Sequence, residues 1–256
     1  MLIATWNVNS IRSRLDQVQA WLTQQQPDVL CLQETKVADA EFPQAPFQAL
    51  GYHCIVYGQK SYNGVAILSR DPVTVVSYGF GDPQWDEQKR LVHVQTQGLH
   101  IVNVYVPNGS DLNTDKYHYK LAWLTRLHYY LKPWVGEPLV VGGDFNIAPD
   151  DRDYYDPECA GGIMASEPER QALQKLLDLP LVDAFRQFTP DPGHYSWWDY
   201  RQGSFRRNRG WRIDHLYVSP AAQPQIRRCW IDSAPRRLEK PSDHTPVILE
   251  IEIPNS

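Results

Sequence analysis

The sequence predicts an α/β protein in which two mainly antiparallel sheets pack face to face and helices flank them. Thirteen short β-rich runs recur along the 256 residues. Several of these runs alternate apolar and polar residues with a period of two, which is typical of half-buried antiparallel strands. Three segments have helical spacing instead, and they fall between groups of strands. Two stacked sheets with helices outside would bury all of these apolar faces.

The β-rich runs are spread over almost the whole chain, and each is short enough for one strand of a sheet. They are, in order, Leu2–Trp6, Val29–Leu32, Tyr52–Tyr57, Val65–Ser69, Val73–Ser77, Leu91–Gln95, His100–Tyr105, Leu139–Gly142, Leu181–Phe185, Tyr195–Trp198, Arg212–Val218, Cys229–Asp232 and Thr245–Ile251.

Three helices are predicted between these strands. The first begins after Ser10, whose hydroxyl can cap it, and ends before Pro27. A leucine repeat at helical spacing over residues 121–131 predicts the second helix. In the third, Ser166 and Glu169 have the spacing of a capping box at the helix start.

Length and composition are those of a globular protein. Hydrophobic residues make up 42% of the chain and charged residues 21%, which is enough for a sizeable core. No Gly/Ser-rich or charged linker divides the sequence, so we expect a single domain over residues 1–256. No run approaches the roughly 18 consecutive apolar residues of a membrane span. Collagen-like, disordered and membrane-spanning classes are therefore excluded.

The cysteines and the N-terminus indicate where the protein works. The four cysteines are scattered without a C-x-x-C pair, so zinc-ribbon and redox motifs have no support. Residues 1–6 have the pattern of a strand, with no basic segment or cleavage site before it. We expect a cytoplasmic protein with reduced thiols.

Basic residues are concentrated in one part of an otherwise acidic chain. The net charge is −5, yet residues 200–241 contain ten basic residues against three acidic ones. A locally basic surface on such a chain is typical of nucleic-acid binding, although a solvated face with ordinary ion pairs would have the same composition.

Polar side chains gather where the predicted strands end, which is where scaffolds commonly present functional groups. An Asp or Asn at one strand end is most often a turn residue, but this chain places nine chemically active side chains at such positions. They are Asn7, Glu34, Tyr105, Asn108, Asp144, Asn146, Asp214, Asp243 and His244. Carboxylate and amide oxygens without cysteine suit a hard cation such as Mg²⁺ or Mn²⁺.

The segments around these residues resemble the exonuclease III family of abasic-site endonucleases, within the endonuclease/exonuclease/phosphatase superfamily. Six motifs occur in the order found in that family and span residues 6–246. They are Trp6-Asn7-Val8-Asn9, Leu32-Gln33-Glu34-Thr35-Lys36, Tyr105-Val106-Pro107-Asn108-Gly109, Gly143-Asp144-Phe145-Asn146, Gly210-Trp211-Arg212-Ile213-Asp214 and Ser242-Asp243-His244, the last within Ser242-Asp243-His244-Thr245-Pro246. The resemblance implies a four-layered α/β sandwich, in agreement with the two-sheet prediction.

The resemblance also implies a function and a metal. The expected reactions are hydrolysis of the phosphodiester 5′ to abasic sites, 3′→5′ exonuclease action and trimming of blocked 3′ ends, all on double-stranded DNA. By the same resemblance, Asn7 and Glu34 hold Mg²⁺ (with Mn²⁺ as a second candidate), and Asp243 is a further or outer ligand. Asn9 stands where some relatives carry an Asp near the metal, which argues against a second metal site. A monomer without a membrane partner is expected.

The remaining positions take catalytic and binding roles by the same resemblance. Asp144 orients or deprotonates the attacking water, and Asn146 positions both. His244 binds a phosphate oxygen while Asp214 orients its ring, and Tyr105 contacts the phosphate or assists the leaving oxygen. Substrate contacts are expected by this resemblance from Asn108, Trp197 and Trp211. The basic residues Arg206, Arg207 and Arg209 lie in a segment more basic than the family's pattern, and their charge predicts contacts with backbone phosphates.

Three alternatives stay open at this level. A phosphoinositide phosphatase of the same superfamily would share the catalytic residues, although the segment from Gly210 to Asp214 resembles the DNA-repair branch. A secreted DNase or sphingomyelinase would need a signal peptide, which is not evident. An inactive DNA-binding protein on this fold would be expected to lack some catalytic positions, and all the matched ones are present.

Overall fold

Two six-stranded sheets form the centre of the molecule, which a computed structural model describes over residues 1–253. The strands in chain order are β1 (Leu2–Asn7), β2 (Val29–Gln33), β3 (His53–Tyr57), β4 (Val65–Ser69), β5 (Thr74–Tyr78), β6 (Leu91–Thr96), β7 (Leu99–Tyr105), β8 (Leu139–Asp144), β9 (Val182–Asp183), β10 (Asp214–Val218), β11 (Ile226–Ile231) and β12 (Val247–Ile251). The α-helices are α1 (Leu15–Gln25), α2 (Gln44–Ala49), α3 (Pro83–Asp86), α4 (Asp115–Leu131) and α5 (Glu167–Leu177). The last three residues of the domain predicted over 1–256 lie outside the described part.

The two sheets have the same pattern of strand directions. One has the order β11-β12-β1-β2-β4-β3 and the other β5-β6-β7-β8-β10-β9. In each sheet the central pair is parallel (β1 with β2, β7 with β8), and the other four pairs are antiparallel. Each parallel pair is joined by a crossover that contains a helix, α1 or α4. The prediction of mainly antiparallel sheets is confirmed.

This arrangement brings polar residues to one edge of the sandwich. The parallel strands end there at Asn7, Gln33, Tyr105 and Asp144. The antiparallel neighbour β10 starts at the same edge, with Asp214 paired to Asp144. The scattered strand-end residues of the sequence therefore meet because of the strand directions.

Apolar side chains fill three layers around the sheets. The layer between the sheets contains Ile3 and Ile67 from one sheet and Ile101 and Leu216 from the other. A second layer lies between the β7–β8 sheet and helices α4 and α5, and a third between the β1–β2 sheet and helices α1 and α2. The chain is thus a four-layered α/β sandwich, as predicted. Over residues 1–253 no helix combines the length and the hydropathy needed to cross a bilayer.

The predicted helix start at Ser10 is wrong. Helix α1 begins at Leu15, and Ser10 lies in a loop with φ of +87°. Its backbone N–H donates to the carbonyl of Glu34 at 2.8 Å, and the N–H of Ile11 donates to the carbonyl of Thr35 at 3.2 Å. These bonds hold the loop against the segment after β2, so the first turn of helix cannot form there. The predicted helix over residues 121–131 begins earlier, at Asp115, and the capping box of Ser166 and Glu169 is confirmed.

Two predicted strands are shorter or absent in the structure. The run Leu181–Phe185 contributes only Val182–Asp183 to a sheet. The run Tyr195–Trp198 is not a strand, because Trp197 makes single bridges to Trp211 and His244 instead of a ladder. The segment instead links the loop before β10 to the loop before β12, because Trp197 exchanges backbone hydrogen bonds with Trp211 and the N–H of Trp198 donates to the carbonyl of Asp243.

Gly143 in β8 is a position where the fold requires glycine. A Cβ built there would lie 1.9 Å from the carbonyl oxygen of Val104 on the parallel neighbour β7. Gly143→Ala should therefore lower the free energy of unfolding by about 1–3 kcal/mol. Gly136→Ala is the matched control, since a Cβ there meets no atom within 4 Å. Chemical denaturation of both variants measures the difference, and equal stability would contradict the strand contact.

Candidate active site

A buried hydrogen-bond cluster links the ends of β1, β2, β7 and β8. The Nδ2 of Asn7 donates to Oε1 of Glu34 at 3.0 Å and to Oδ2 of Asp144 at 2.9 Å. The hydroxyl of Tyr105 donates to the same Oε1 of Glu34 at 2.7 Å. Asn7 thus holds two carboxylates from different sheets in one geometry, while its own Oδ1 accepts the N–H of Asn9 at 3.0 Å.

A chain of polar contacts continues from Glu34 to Asp243. The Nζ of Lys36 lies 2.8 Å from Oε2 of Glu34 and 2.6 Å from Oδ1 of Asn9. The Nδ2 of Asn9 donates to one Asp243 oxygen at 3.0 Å, and Nε1 of Trp197 donates to the other at 3.0 Å. Both oxygens of Asp243 are therefore engaged within the protein.

His244 and Asp214 form a buried pair beside Asp144. The Nδ1 of His244 lies 2.9 and 3.1 Å from the Asp214 oxygens, and its Nε2 lies 3.8 Å from Oδ2 of Asp144. Burial alone would lower the pKa of His244, but Asp214 and Asp144 outweigh it and raise the pKa to about 10. At neutral pH the ring is therefore a cation that can face a phosphate oxygen.

The surroundings of Asp144 disfavour its charged form, since its carboxylate is buried near other carboxylates. Burial is the largest effect on its pKa. Burial, Asp214 and Glu34 together outweigh the charge of His244 and the hydrogen bond from Asn7, and they raise the pKa of Asp144 to about 7. A carboxylate that titrates near neutral pH is suited to accept a proton from water. Its Oδ1 accepts the backbone N–H of Asn146 at 2.9 Å, which fixes its orientation.

The pKa values of Glu34 and Tyr105 move in opposite directions. Burial raises the pKa of Glu34, but Lys36 and the hydrogen bonds from Asn7 and Tyr105 outweigh it and leave the pKa below its usual value. Burial and then the Glu34 charge raise the pKa of Tyr105 well above 10. Glu34 is thus an anion at neutral pH, and in this arrangement Tyr105 is a neutral hydrogen-bond donor.

Asn108 and Asn146 line the adjoining part of the site. The Nδ2 of Asn108 donates to Oδ1 of Asn146 at 3.1 Å, and the Nδ2 of Asn146 donates to the carbonyl of Val106 at 3.0 Å. Asn146 has φ of +51°, in the left-handed region that Asn tolerates better than most residues. Two amides from neighbouring loops are therefore locked together next to Asp144.

Trp197 and Trp211 line a cavity of about 250 Å³ beside the cluster, together with Tyr155, Arg209 and other side chains. Trp211 is 7% exposed and packs on Tyr154 with ring centroids 5.3 Å apart. Trp198, the neighbour of Trp197, is buried and does not line this cavity. Arg206 and Arg207 are exposed on the same loop as Arg209, but they do not line this cavity.

The donor set fits a hard divalent cation. Glu34 supplies a carboxylate, and oxygen ligands are what Mg²⁺ and Mn²⁺ prefer. Asp243 is linked to Glu34 through Lys36 and Asn9 and not directly, which favours an outer position for it. Asp144, Asp214 and His244 also place ligand atoms within 4.8 Å of one another. That triad is a poorer site, because His244 carries a proton on the nitrogen facing Asp144 and already binds Asp214 through the other. Glu34 is the better anchor.

Comparison with known proteins places this cluster in context. Residues 4–244 match the model of the endonuclease/exonuclease/phosphatase family. Exodeoxyribonuclease III of Haemophilus influenzae is 36% identical, over 98% of this chain and 99% of its own length. A solved 3′ phosphatase, NExo, from Neisseria, bound to a product DNA hairpin, has 44% identity and a TM-score of 0.95 over 98% of this chain and 99% of that one. An AP endonuclease from Archaeoglobus fulgidus has 40% identity and a TM-score of 0.95 over 99% and 100%.

The chain belongs to the endonuclease/exonuclease/phosphatase family. Within it the chain is a nuclease, a hydrolase whose homologues over the full length are exodeoxyribonucleases. The resemblance found in the sequence is confirmed.

Sequence reasoning missed two residues that the site uses. Lys36 stands in the Leu32–Lys36 motif, two residues after Glu34, and its charge could have identified it as the counter-ion. Arg90 at the start of β6 packs over the Tyr105 ring at 4.5 Å and donates to the Tyr105 carbonyl at 3.1 Å. Arg90 precedes the β6–β7 hairpin that ends at Tyr105, and no motif marks it.

Replacing the partner of His244 tests the electrostatics of the pair. Asp214→Asn removes the largest positive contribution to the pKa of His244, so that pKa should fall from about 10 toward the ordinary 6.5. The raised pKa contributes stability that is fully present below about 6.5 and is lost as the pH rises through about 10. A histidine NMR titration in EDTA measures the first effect. Denaturation of both proteins between neutral and alkaline pH measures the second, and an unchanged pKa in Asp214→Asn would refute the pairing.

Proposed function

We propose that the protein is a Mg²⁺-dependent DNA-repair nuclease. It hydrolyses the phosphodiester 5′ to an abasic site in double-stranded DNA, and it acts on 3′ ends as an exonuclease and as a remover of blocking groups. The observation that carries this proposal is the single buried network in which Asn7 joins Glu34 to Asp144 and Asp144 faces the cation of His244. Metal anchor, base and phosphate-binding cation are thus contiguous.

Glu34 is the main metal-holding residue in this proposal, and Asp243 is an outer ligand of the same metal ion. The bound ion would supply positive charge that stabilises the developing charge on the phosphoryl oxygens. Asn7 orients the two carboxylates between which it lies. For Asn7 itself to bind the metal ion, its amide must rotate. The rotation moves Oδ1 of Asn7 away from the backbone N–H of Asn9, which now donates to it.

Other side chains of the site accept the proton of water, bind the phosphate and assist the leaving oxygen. Asp144, with its pKa near 7, takes the proton of the attacking water, and Asn146 keeps the Asp144 carboxylate oriented. His244 as a cation binds a non-bridging phosphate oxygen, and Asp214 fixes its ring. Tyr105 donates its hydroxyl proton toward the phosphate or the leaving oxygen.

Trp197 and Trp211 supply the selective part of the site. Their cavity of about 250 Å³ has three aromatic rings, those of Tyr155, Trp197 and Trp211, among polar and charged side chains. The indole of Trp197 joins it to Asp243. A flipped sugar without its base would pack against these rings, beside the polar side chains that also line the cavity. An intact nucleotide must also lose its stacking, at a cost of a few kcal/mol.

The expected partners and setting follow from this chemistry. The substrate is double-stranded DNA with abasic sites or blocked 3′ ends, and Asn108 joins the phosphate contacts. The four cysteines are free thiols, which agrees with the proposed reduced, cytoplasmic setting. We assign the whole chain to one domain that acts as a monomer without a membrane partner.

A phosphoinositide phosphatase is disfavoured, because the full-length relatives are exodeoxyribonucleases. An inactive binding protein is disfavoured by the geometry, since each catalytic side chain is oriented by at least one partner within hydrogen-bond distance.

Cleavage of a duplex with one abasic site, with Mg²⁺ or with EDTA, tests the function. The wild type should cut only with Mg²⁺. Glu34→Ala removes the anionic anchor and should lower the rate by about 10²–10³ while the protein stays folded. Arg12→Ala, which removes only an exposed ion pair to Glu41, is the matched control. Near-native cleavage by Glu34→Ala at low Mg²⁺ would remove Glu34 from the metal site, and a wild type that leaves the duplex intact would overturn the proposed function.

The arginine loop has its own test. Arg206, Arg207 and Arg209 are exposed on one loop, and Arg209 lines the cavity. Exposed charge on this loop would contact backbone phosphates. Replacing all three with Ala should weaken binding to any duplex sequence and flatten the dependence of log K on log salt by up to roughly 2–3. Arg227 and Arg228 are the controls. They lie on strand β11 and form ion pairs with Glu252 and Glu250. An unchanged salt slope would show that the loop is an ordinary solvated surface.

A further inference from the structure

A fully buried lysine lies behind the loops that carry Asn108 and Asn146. Lys120 is on helix α4 and Glu169 is on helix α5, and both side chains have no exposed surface. Neither residue belongs to a motif that the proposed mechanism uses. A buried lysine is rare in proteins unless its charge is paired, so its position needs a reason.

All three protons of the Lys120 ammonium have an acceptor. The Nζ donates to the carbonyl oxygen of Asn146 at 2.7 Å, to the carbonyl oxygen of Asn108 at 3.1 Å and to the carboxylate of Glu169. The first two acceptors lie on different loops, one after β7 and the other after β8. Lys120 thus ties together the main chains of the two residues whose side-chain amides meet beside Asp144.

Glu169 is itself held by its surroundings. It accepts the backbone N–H of Met164 at 3.1 Å, the backbone N–H of Ser166 at 3.1 Å and the hydroxyl of Ser166 at 2.6 Å. Ser166 in turn bonds to the hydroxyl of Tyr117 at 2.7 Å. The outer helices therefore supply a rigid anchor for the ammonium.

We propose that Lys120, anchored by Glu169, is a positioning residue that sets the geometry of Asn108 and Asn146 for phosphodiester hydrolysis. The inference rests on the proposed function, because it assigns a task to a residue that does not touch substrate. Lys120 acts through main-chain carbonyls and contributes no group to the reaction itself.

Backbone geometry explains why these loops need a clamp. Asn146 has φ of +51°, and Gly109, next to Asn108, has φ of +91°. A left-handed φ strains a non-glycine residue such as Asn146 and persists only where the surroundings hold it, whereas glycine adopts it freely. Gly109 also lies directly over the lysine stem, since a Cβ there would be 3.2 Å from Cδ of Lys120.

Stability alone does not explain the choice of a charged pair. Burial lowers the pKa of Lys120, and only Glu169 and, more weakly, Asp144 oppose this effect. Neutral replacement of both members of a buried ion pair is often without cost to stability, whereas removal of one member is strongly destabilising. A pair kept only for stability could therefore be replaced by neutral side chains without loss of activity.

The experiment separates stability from positioning with two variants. Glu169→Gln leaves the ammonium without its counter-charge but keeps both contacts to the Asn108 and Asn146 carbonyls, so its Tm should fall while kcat stays near the wild-type value. Lys120→Met with Glu169→Gln removes the unpaired charge together with the clamp. Its Tm should exceed that of Glu169→Gln, yet its kcat should be about 10–100-fold below wild type with KM little changed.

The assay uses the abasic duplex with Mg²⁺ at a temperature where every variant is folded. Tyr117→Phe is the control, because it removes the bond to Ser166 at the same helix interface and leaves Lys120 in place; it should lower Tm and spare kcat. If kcat of the variants follows Tm, so that the double variant is more active than Glu169→Gln, Lys120 is merely structural and the proposal is wrong.

A second readout does not depend on cleavage. The side-chain amide resonances of Asn108 and Asn146, recorded in ¹⁵N-asparagine-labelled protein without metal or DNA, should shift in the double variant and stay in place in Glu169→Gln. Unchanged resonances in the double variant would overturn the proposal. An inactive wild type, by contrast, would overturn the proposed function and leave this spectroscopic test of Lys120 intact.

Discussion

The structure depends on holding three carboxylates at one edge of the sandwich, those of Asp144 and Asp214, which are buried, and that of Glu34, which is partly buried. Like charges in a medium of low dielectric constant repel strongly, and burial penalises each of them separately. The protein balances this with a cation at each end, Lys36 beside Glu34 and His244 between Asp214 and Asp144. Asn7 joins the two halves with one amide group.

The fold makes this balance feasible because its two sheets are built alike. Each has a parallel central pair followed by antiparallel neighbours, so strand ends from both sheets converge on the same edge. The apolar layer between the sheets fixes the distance between Glu34 on one sheet and Asp144 on the other. Helices α4 and α5 contribute the buried pair of Lys120 and Glu169 behind the loops, so the outer layers also bear on the site.

The fold class and nearly all strands could be predicted from the sequence, because alternation of apolar residues is a local signal. The residues of the cluster could be selected as well, since each stands at a strand end within a recognisable motif. Local signals failed at Ser10, where bonds to the Glu34 segment override a good capping residue, and at Trp197, where single bridges replace a ladder. They also could not reveal Arg90, which no motif marks, or the task of Lys120, whose contacts join segments that are distant in sequence.

The central claim is that Asp144, held by Asn7 and Asn146 and faced by His244, is the base that activates water. Asp144→Asn keeps the shape and the hydrogen bond from the Asn146 N–H but cannot accept that proton. Single-turnover cleavage of a duplex with one abasic site, measured beside binding of the same duplex, tests this directly. The account predicts undiminished binding and a cleavage rate lower by about 10²–10⁴. Cleavage by Asp144→Asn at nearly the wild-type rate would contradict it.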